Sequence, residues 1–191
     1  MDTRVRAKRW SRLEYERLVH LGVFRPGERL ELVGGALLVR EPQGSPHATS
    51  IQAVQEALRG ALGPGWLIRT QMPVALDDES EPEPDVSVVP GSFRDYSHAH
   101  PSRPALLVEI AESSLDFDRK DKGSLYARAR VPEYWIVNLA ERVLEVYRES
   151  GPDARAAYGW AYLHAVRLGP EDHVAPPIAP TSRIRVSGLL P

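Results

Sequence analysis

The stretch ALLVEIAESSLDFDRKDKGSLYARARVPEYWIV, residues 105–137, decides the fold class of this chain. It begins with an apolar run of strand length, continues as a helix from about Asp118 to Arg130, and forms a second strand after Val131-Pro132. One charged residue, Glu109, interrupts the first apolar run. A buried carboxylate is costly unless it is paired, hydrogen-bonded or bound to a metal. Glu109 therefore predicts an ion pair or a metal site inside a folded core.

The composition is that of a folded domain without cysteine chemistry. The 191 residues suit one domain over 1–191, in which residues 1–9 are expected to be a flexible basic arm. Because there is no cysteine, disulfides and thiolate metal sites are excluded, and a cytoplasmic location is expected. No apolar stretch approaches the ~20 residues of a membrane span, so no membrane partner is expected. The net charge of −2 does not favour nucleic-acid binding by bulk charge, so such binding would need a local basic patch.

The first part of the chain is predicted to contain two helices and a hairpin. Residues 11–14 form a capping box that begins a helix ending at Gly22. The strands RLELV and ALLVRE are joined by the turn Gly34-Gly35. Ser45 is the predicted cap of a second helix, which ends at residues 63–65.

The remaining segments are mostly strands. A strand is predicted from Trp66 to Leu76, followed by a solvated acidic loop over residues 77–83 and a short buried strand at 86–89. After the central helix come the predicted strands EYWIVNL, VLEVYRE and GWAYLHAVRL and a short strand near the end. This order predicts a mixed α/β domain of the α+β kind, with helices flanking a central sheet.

A candidate site follows from two carboxylates on neighbouring strands. Asp85 lies at the start of the short strand VSVV, and Glu109 lies 24 residues later in the next strand. Two such strands can place both carboxylates at one divalent ion, and hard oxygen ligands suit Mg²⁺ or Mn²⁺. Lys122 precedes Leu125 and Tyr126 by three and four residues, so it shares the apolar face of its helix. Lys122 is therefore the predicted cation of the site, since it can point back at the sheet.

Each of these residues also has an ordinary structural explanation. Pro84-Asp85 is a common turn dipeptide. Glu109 could form a core ion pair with an arginine, and Lys122 could pair with Asp118, four residues earlier on its helix. The combination of the three side chains on strand, strand and helix favours the functional interpretation.

Several pieces of the sequence together resemble the Uma family of restriction endonucleases, within the PD-(D/E)XK nuclease superfamily. The pieces that carry the resemblance are RLELVGGALL, the PHA at 46–48, EPEPDVSVV, LLVEIAESSLDFDRKDKGSLYA and VPEYWIVNLAERVLEVYR. They span most of residues 10–150. The resemblance implies a restriction-endonuclease-like fold, with a central mixed sheet flanked by helices, and a metal-dependent phosphodiesterase site.

The resemblance also implies roles for particular residues. Asp85 and Glu109 would be metal ligands, with the carbonyl of Ile110 as a further ligand. The superfamily pattern calls for a lysine at position 111, where this chain has Ala111, and Lys122 would reach into the same space. Glu31 matches an acidic position of the family and either completes the metal site or only decorates a strand.

The expected function is therefore that of a Mg²⁺- or Mn²⁺-dependent endonuclease that cleaves DNA and acts as a homodimer. Two alternatives stay open: a catalytically inactive nuclease-like module that binds nucleic acid or a protein, and a Mg²⁺-dependent hydrolase of small phosphoesters. The sequence leaves the roles of Gln71, His47 and Asp118 undecided.

Overall fold

The computed structural model describes residues 6–40 and 42–191, which form a mixed sheet with helices on both faces. The strands are β1 Leu30–Val33, β2 Ala36–Val39, β3 Trp66–Thr70, β4 Val86–Pro90, β5 Leu106–Ala111, β6 Glu133–Asn138, β7 Val143–Pro152, β8 Trp160–Leu168, β9 His173–Val174 and β10 Ile184–Arg185. The helices are α1 Arg12–His20, α2 Ser45–Ala61, α3 Leu115–Phe117 and α4 Gly123–Arg128, with a π-helical turn at Asp118–Lys122 and 3₁₀ turns at Phe93–Tyr96 and Val186–Leu189.

The central sheet has six strands in the order β3-β4-β5-β6-β7-β8. All neighbours are antiparallel except β5 and β6, which run parallel. A parallel pair needs a crossover connection, and here the helical segment α3, π turn and α4 provides it. The predicted α+β class with a mixed central sheet is confirmed.

The two faces of β5 pack against different layers. Val108 and Ile110 belong to the core shared with α2, whereas Leu107 and Ala111 belong to the core shared with α4. Because both faces are covered, the strand has a continuous apolar sequence rather than an alternating one. By alternation Glu109 lies on the α4 side. The site is therefore built between the sheet and the crossover helix.

The local signals in the first forty residues hold in the structure. Ser11 caps α1, and its capping box with Glu14 has both hydrogen bonds. Gly34 and Gly35 both have positive φ, at 54° and 81°, which the tight turn between β1 and β2 requires. Lys8 makes an ion pair with Glu14, so the part of the basic arm that the structure describes is attached to α1.

Three local predictions were wrong. The cap of α2 is Gly44 rather than Ser45. The strand from Trp66 stops at Thr70, because Gln71 takes a left-handed φ of 53°. The loop over residues 77–83 is not simply solvated, since Glu81 is buried and its backbone pairs with β1.

Among the helices of the described residues, none has the length and apolar character needed to cross a membrane.

Candidate active site

The pairing of β4 with β5 brings the two predicted carboxylates together. Val86 lies opposite Val108 in this antiparallel pair, so one step further along the register Asp85 faces Glu109. Both side chains are buried, and the N–H of Ile110 donates to Asp85 Oδ2 at 2.9 Å. The N–H of Asp85 lies 3.4 Å from Glu109 Oε2. The two acids are thus fixed by backbone pairing and not by flexible loops.

The crossover helix supplies the cation through its π turn. In this turn the N–H of Gly123 donates to the carbonyl of Asp118, one residue further back than in an α-helix. Lys122 is buried, and its Nζ lies 2.9 Å from Glu109 Oε1 and 3.4 Å from Glu31 Oε1. π turns of this kind occur frequently at functional sites.

The neighbouring cations of the turn point elsewhere. Arg119 forms an ion pair with Glu145 on β7, and the exposed Lys120 pairs with Asp116 on its own helix. The predicted orientation of Lys122 toward the sheet agrees with this geometry. Lys122 makes its ion pairs with Glu109 and Glu31 and not with Asp118, which accepts a hydrogen bond from Ser114 Oγ at 2.5 Å.

Two further groups fix the acids around Lys122. Glu31 is buried, and its Oε2 accepts a hydrogen bond from the N–H of Glu83 at 3.0 Å. The hydroxyl of Tyr126, one turn after Lys122, donates to Glu109 Oε1 at 2.6 Å. The same oxygen of Glu109 therefore receives both the lysine and the tyrosine, which leaves Oε2 on the side of Asp85.

Donors from the connection between β2 and α2 cover the other carboxylate. Arg40 Nη2 lies 2.8 Å and Gln43 Nε2 lies 3.4 Å from Asp85 Oδ1. His47, in the first turn of α2, has its Nε2 2.9 Å from Asp85 Oδ2. Asp85 is thus surrounded by three polar side chains and one backbone N–H.

The surroundings move the pKa values of the two acids in opposite directions. Burial opposes ionisation of Asp85, but His47, Arg40 and the N–H of Ile110 outweigh it and lower its pKa to about 2. Burial raises the pKa of Glu109 to about 7, and the charge of Asp85 adds to this against the opposing effect of Lys122. Asp85 is therefore ionised near neutral pH, whereas Glu109 exchanges its proton there.

The remaining charges of the site follow the same physics. Burial opposes the charged form of Lys122, but the nearby acids, Glu109 first, more than offset it and raise its pKa. Burial is also the main cause that raises the pKa of Asp118. Lys122 is therefore a permanent cation, and the acids around it are under mutual repulsion.

These side chains line one cleft of about 490 Å³. Its acidic residues are Glu31, Asp85, Glu109, Glu112 and Asp118. Its lysine and arginine residues are Lys122 and Arg40. Four of these acids are buried and Glu112 is exposed, and a hard divalent cation would compensate the excess of buried carboxylates. No group of three or more His, Asp or Glu side chains within 6–40 and 42–191 is arranged as a ready metal site. Mg²⁺ typically takes one or two carboxylates and keeps its waters, so the pair Asp85 and Glu109 fits such an ion.

The structure thus brings Asp85, Glu109, Lys122 and Glu31 into one cleft, with the main chain of Ile110 beside them. Of the three undecided residues, His47 and Asp118 line this cleft, and Gln71 does not. Gln71 contributes through its backbone N–H, which donates to the carbonyls of Pro84 and Asp85.

Sequence reasoning missed three side chains that contact the two acids: Arg40 and Gln43, which line the cleft, and Tyr126, which does not. Tyr126 was expected to belong to the apolar stripe of its helix, yet its hydroxyl reaches Glu109. Arg40 gave no signal, because it follows a strand by one residue and meets Asp85 across 45 positions of sequence. A tyrosine one helical turn from a buried lysine was the available signal for Tyr126.

The comparisons with known proteins agree with the fold. The structure is similar to the crystal structure of a protein of Anabaena variabilis ATCC 29413, described as "a putative nuclease belonging to DUF820". The match has a TM-score of 0.66 at 14% identity and covers 89% of this chain and 94% of that one, so the likeness is one of fold.

The family model Uma2, described as "Putative restriction endonuclease", matches residues 13–170, and the chain belongs to this family. No match was found among curated proteins. The predicted resemblance to the Uma family is confirmed.

Proposed function

We propose that this protein is a Mg²⁺- or Mn²⁺-dependent endonuclease that hydrolyses DNA phosphodiester bonds. One observation carries the proposal: Asp85 and Glu109 lie side by side in one cleft, and the buried ammonium of Lys122 is 2.9 Å from Glu109. Two carboxylates can hold a divalent ion, and a lysine beside them can stabilise charge that develops on a phosphoryl group. Membership in a family described as nucleases and the matching fold support the proposal.

The residues would share the work as follows. Asp85 and Glu109 would hold the ion, with the carbonyl of Ile110 as a further ligand. The ion supplies Lewis-acid charge and a more acidic water. Lys122 would orient the attacking water and offset the charge that develops on the phosphoryl group. Glu31 would act through Lys122, by keeping its ammonium in place at 3.4 Å.

The position of Lys122 also accounts for the missing strand lysine of the nuclease pattern. Ala111 is buried on the same face of β5 as Glu109, under the helix that carries Lys122. A small residue at 111 leaves room for the lysine to arrive from above the sheet. The lysine of the PD-(D/E)XK pattern would therefore be relocated in this chain and not lost.

The test is nicking of supercoiled plasmid with Mg²⁺ or Mn²⁺ by the wild type and by Asp85→Asn, Glu109→Gln and Lys122→Met. The wild type should nick the plasmid, and each of the three variants should nick it at least about 100-fold more slowly. Lys120→Met is the matched control, because it removes a lysine of the same turn that is exposed and paired outside the cleft. Cleavage by Asp85→Asn at the wild-type rate would exclude the proposal.

One observation favours a second candidate, a module that binds without cutting. Both oxygens of Asp85 already accept hydrogen bonds, from Arg40, Gln43, His47 and the Ile110 N–H. If these bonds persist, no ion reaches Asp85. DNA binding by the wild type without any metal-dependent nicking would select this function.

We also propose that two copies act together in the cytoplasm, each as one domain, since two sites on a dimer cut both strands of a duplex. Light scattering of the purified protein tests this, and a monomeric mass at assay concentrations would contradict it.

A further inference from the structure

We propose that Arg40 binds the phosphate group of the substrate, beside Asp85 in the cleft. The inference rests on the proposed function, because it names the phosphate ligand of the same site. Three features carry it: the place of the guanidinium, the number of donors that Asp85 has besides it, and the charge balance of the cleft.

Arg40 is held in the cleft by two hydrogen bonds and by an ion pair with the Glu83 carboxylate at 3.8 Å. It follows the last residue of β2, and its side chain is 12% exposed. Nη2 donates to Asp85 Oδ1 at 2.8 Å, and Nη1 donates to the carbonyl of Glu83. Both partners lie on the segment that leads into β4. The guanidinium is therefore positioned beside the pair of carboxylates before any substrate arrives.

Asp85 does not depend on Arg40 for its hydrogen bonds. Its Oδ2 accepts from His47 and from the N–H of Ile110, and its Oδ1 has Gln43 within 3.4 Å. A guanidinium carries more N–H donors than the two that Asp85 and Glu83 engage. Arg40 therefore has donors left for a ligand in the cleft that it lines.

The charge balance of the cleft favours a second cationic side chain beside the phosphate. The cleft is lined by five carboxylates, and a phosphate entering it meets their repulsion. Lys122 pairs with Glu109 and Glu31, and Arg40 pairs with Asp85 and Glu83. Arg40 is the remaining arginine or lysine of the lining, and its planar fork matches two phosphate oxygens. The two cations would thus bracket the carboxylate pair, Lys122 at Glu109 and Arg40 at Asp85.

Two other roles for Arg40 predict different results. As a purely structural partner of Asp85, it would affect stability and leave DNA affinity unchanged. If the guanidinium instead occupies the place of the metal ion at Asp85, it competes with the ion. The Arg40→Ala variant would then bind the metal ion more tightly and cleave DNA faster. Only if Arg40 contacts a phosphate group does its removal lower both the DNA affinity and the salt dependence of that affinity.

The experiment compares Arg40→Ala and Arg40→Lys with the wild type in three measurements. Fluorescence anisotropy of a labelled DNA duplex with Ca²⁺, at several salt concentrations, gives the affinity and its salt slope. Calorimetry with Mn²⁺ alone gives metal affinity, and thermal unfolding shows whether each variant is folded. Arg29→Ala is the matched control: Arg29 accepts the backbone bond of Arg40 and pairs with Glu83, but it does not line the cleft.

For Arg40→Ala we expect DNA affinity to fall about tenfold and the salt slope to fall by about one. Mn²⁺ affinity should be unchanged or higher, because a competing cation has gone. Arg40→Lys keeps the charge but loses the fork, so it should keep the salt slope and lose part of the affinity. Arg29→Ala should bind as the wild type does.

Wild-type DNA affinity and salt slope in a folded Arg40→Ala protein would overturn the inference. If Arg40→Ala does not fold, Arg40→Lys decides, since an affinity equal to that of the wild type would also overturn it. A wild type that never cuts DNA, but binds it through Arg40 and not Arg29, would exclude the proposed nuclease activity and leave this inference standing.

Discussion

Lys122→Met should destabilise the protein in a strongly pH-dependent way. Lys122 has a side-chain exposure of 5%, and its ammonium contacts Glu109 at 2.9 Å and Glu31 at 3.4 Å. Removing one member of a buried ion pair typically costs about 3–5 kcal/mol, because the partner charge is left buried without compensation. For a chain of this size that corresponds to a fall of about 10 °C in Tm at about pH 8.

The pH dependence follows from the carboxylate that is left behind. The pKa of Glu109 is raised to about 7 from its ordinary 4.5, and loss of Lys122 raises it further. A carboxyl group with a raised pKa in the folded state contributes stability below its unfolded pKa, and that contribution is lost as the pH rises through the folded pKa. The cost of Lys122→Met should therefore be smallest near pH 5 and largest above pH 7.

Denaturant unfolding of the metal-free protein at several pH values measures this. The double variant Lys122→Met/Glu109→Gln removes both charges and should recover part of the lost stability. Lys120→Met, on the exposed side of the same turn, should change the unfolding free energy by less than about 0.5 kcal/mol. A destabilisation by Lys122→Met that is small, or equal at pH 5 and pH 8, would refute the assignment of a buried pair with Glu109.

Three further predictions concern the acids and the hairpin. Metal binding must displace the proton of Glu109 below pH 7, so the apparent Mg²⁺ affinity in calorimetry should fall about tenfold per pH unit there; a flat profile would contradict it. Tyr126→Phe removes the hydroxyl that donates to Glu109 at 2.6 Å, which should raise the pKa of Glu109 and move the acidic limb of the pH–rate profile to higher pH. The same change should lower the unfolding free energy by about 1 kcal/mol. Gly34→Ala places a Cβ at a φ of 54° and against the ring of Tyr158, so it should lower the unfolding free energy by more than about 1 kcal/mol. An unchanged Tm would be inconsistent with this packing.

The strand pair and the lysine were predictable because they depend on local periodicity. An apolar run with one carboxylate is visible in the sequence, and Asp85 before VSVV marks the adjacent strand. The face of Lys122 follows from its spacing to Leu125 and Tyr126, although the π turn that precedes Gly123 has no such signal. The π turn adds one residue to a helical turn, and the chain continues as an α-helix from Gly123.

The other wall of the cleft was not predictable, because it depends on long-range packing. Arg40 meets Asp85 only when the β1–β2 hairpin lies against the segment before β4. Glu31 alternates with apolar neighbours, which usually places a residue in solvent, yet this strand is covered on both sides and Glu31 is 3% exposed. His47 in the first turn of a helix resembled a surface residue until the fold brought Asp85 to 2.9 Å from it.

Anomalous diffraction from crystals soaked in Mn²⁺ tests the central claim most directly, because it locates the ion without relying on activity. The account predicts one strong peak in the cleft, in contact with carboxylate oxygens of both Asp85 and Glu109, and no such peak in Glu109→Gln crystals. A cleft without a peak in the wild type, with Arg40 and His47 still bonded to Asp85, would contradict the metal site and favour the binding module.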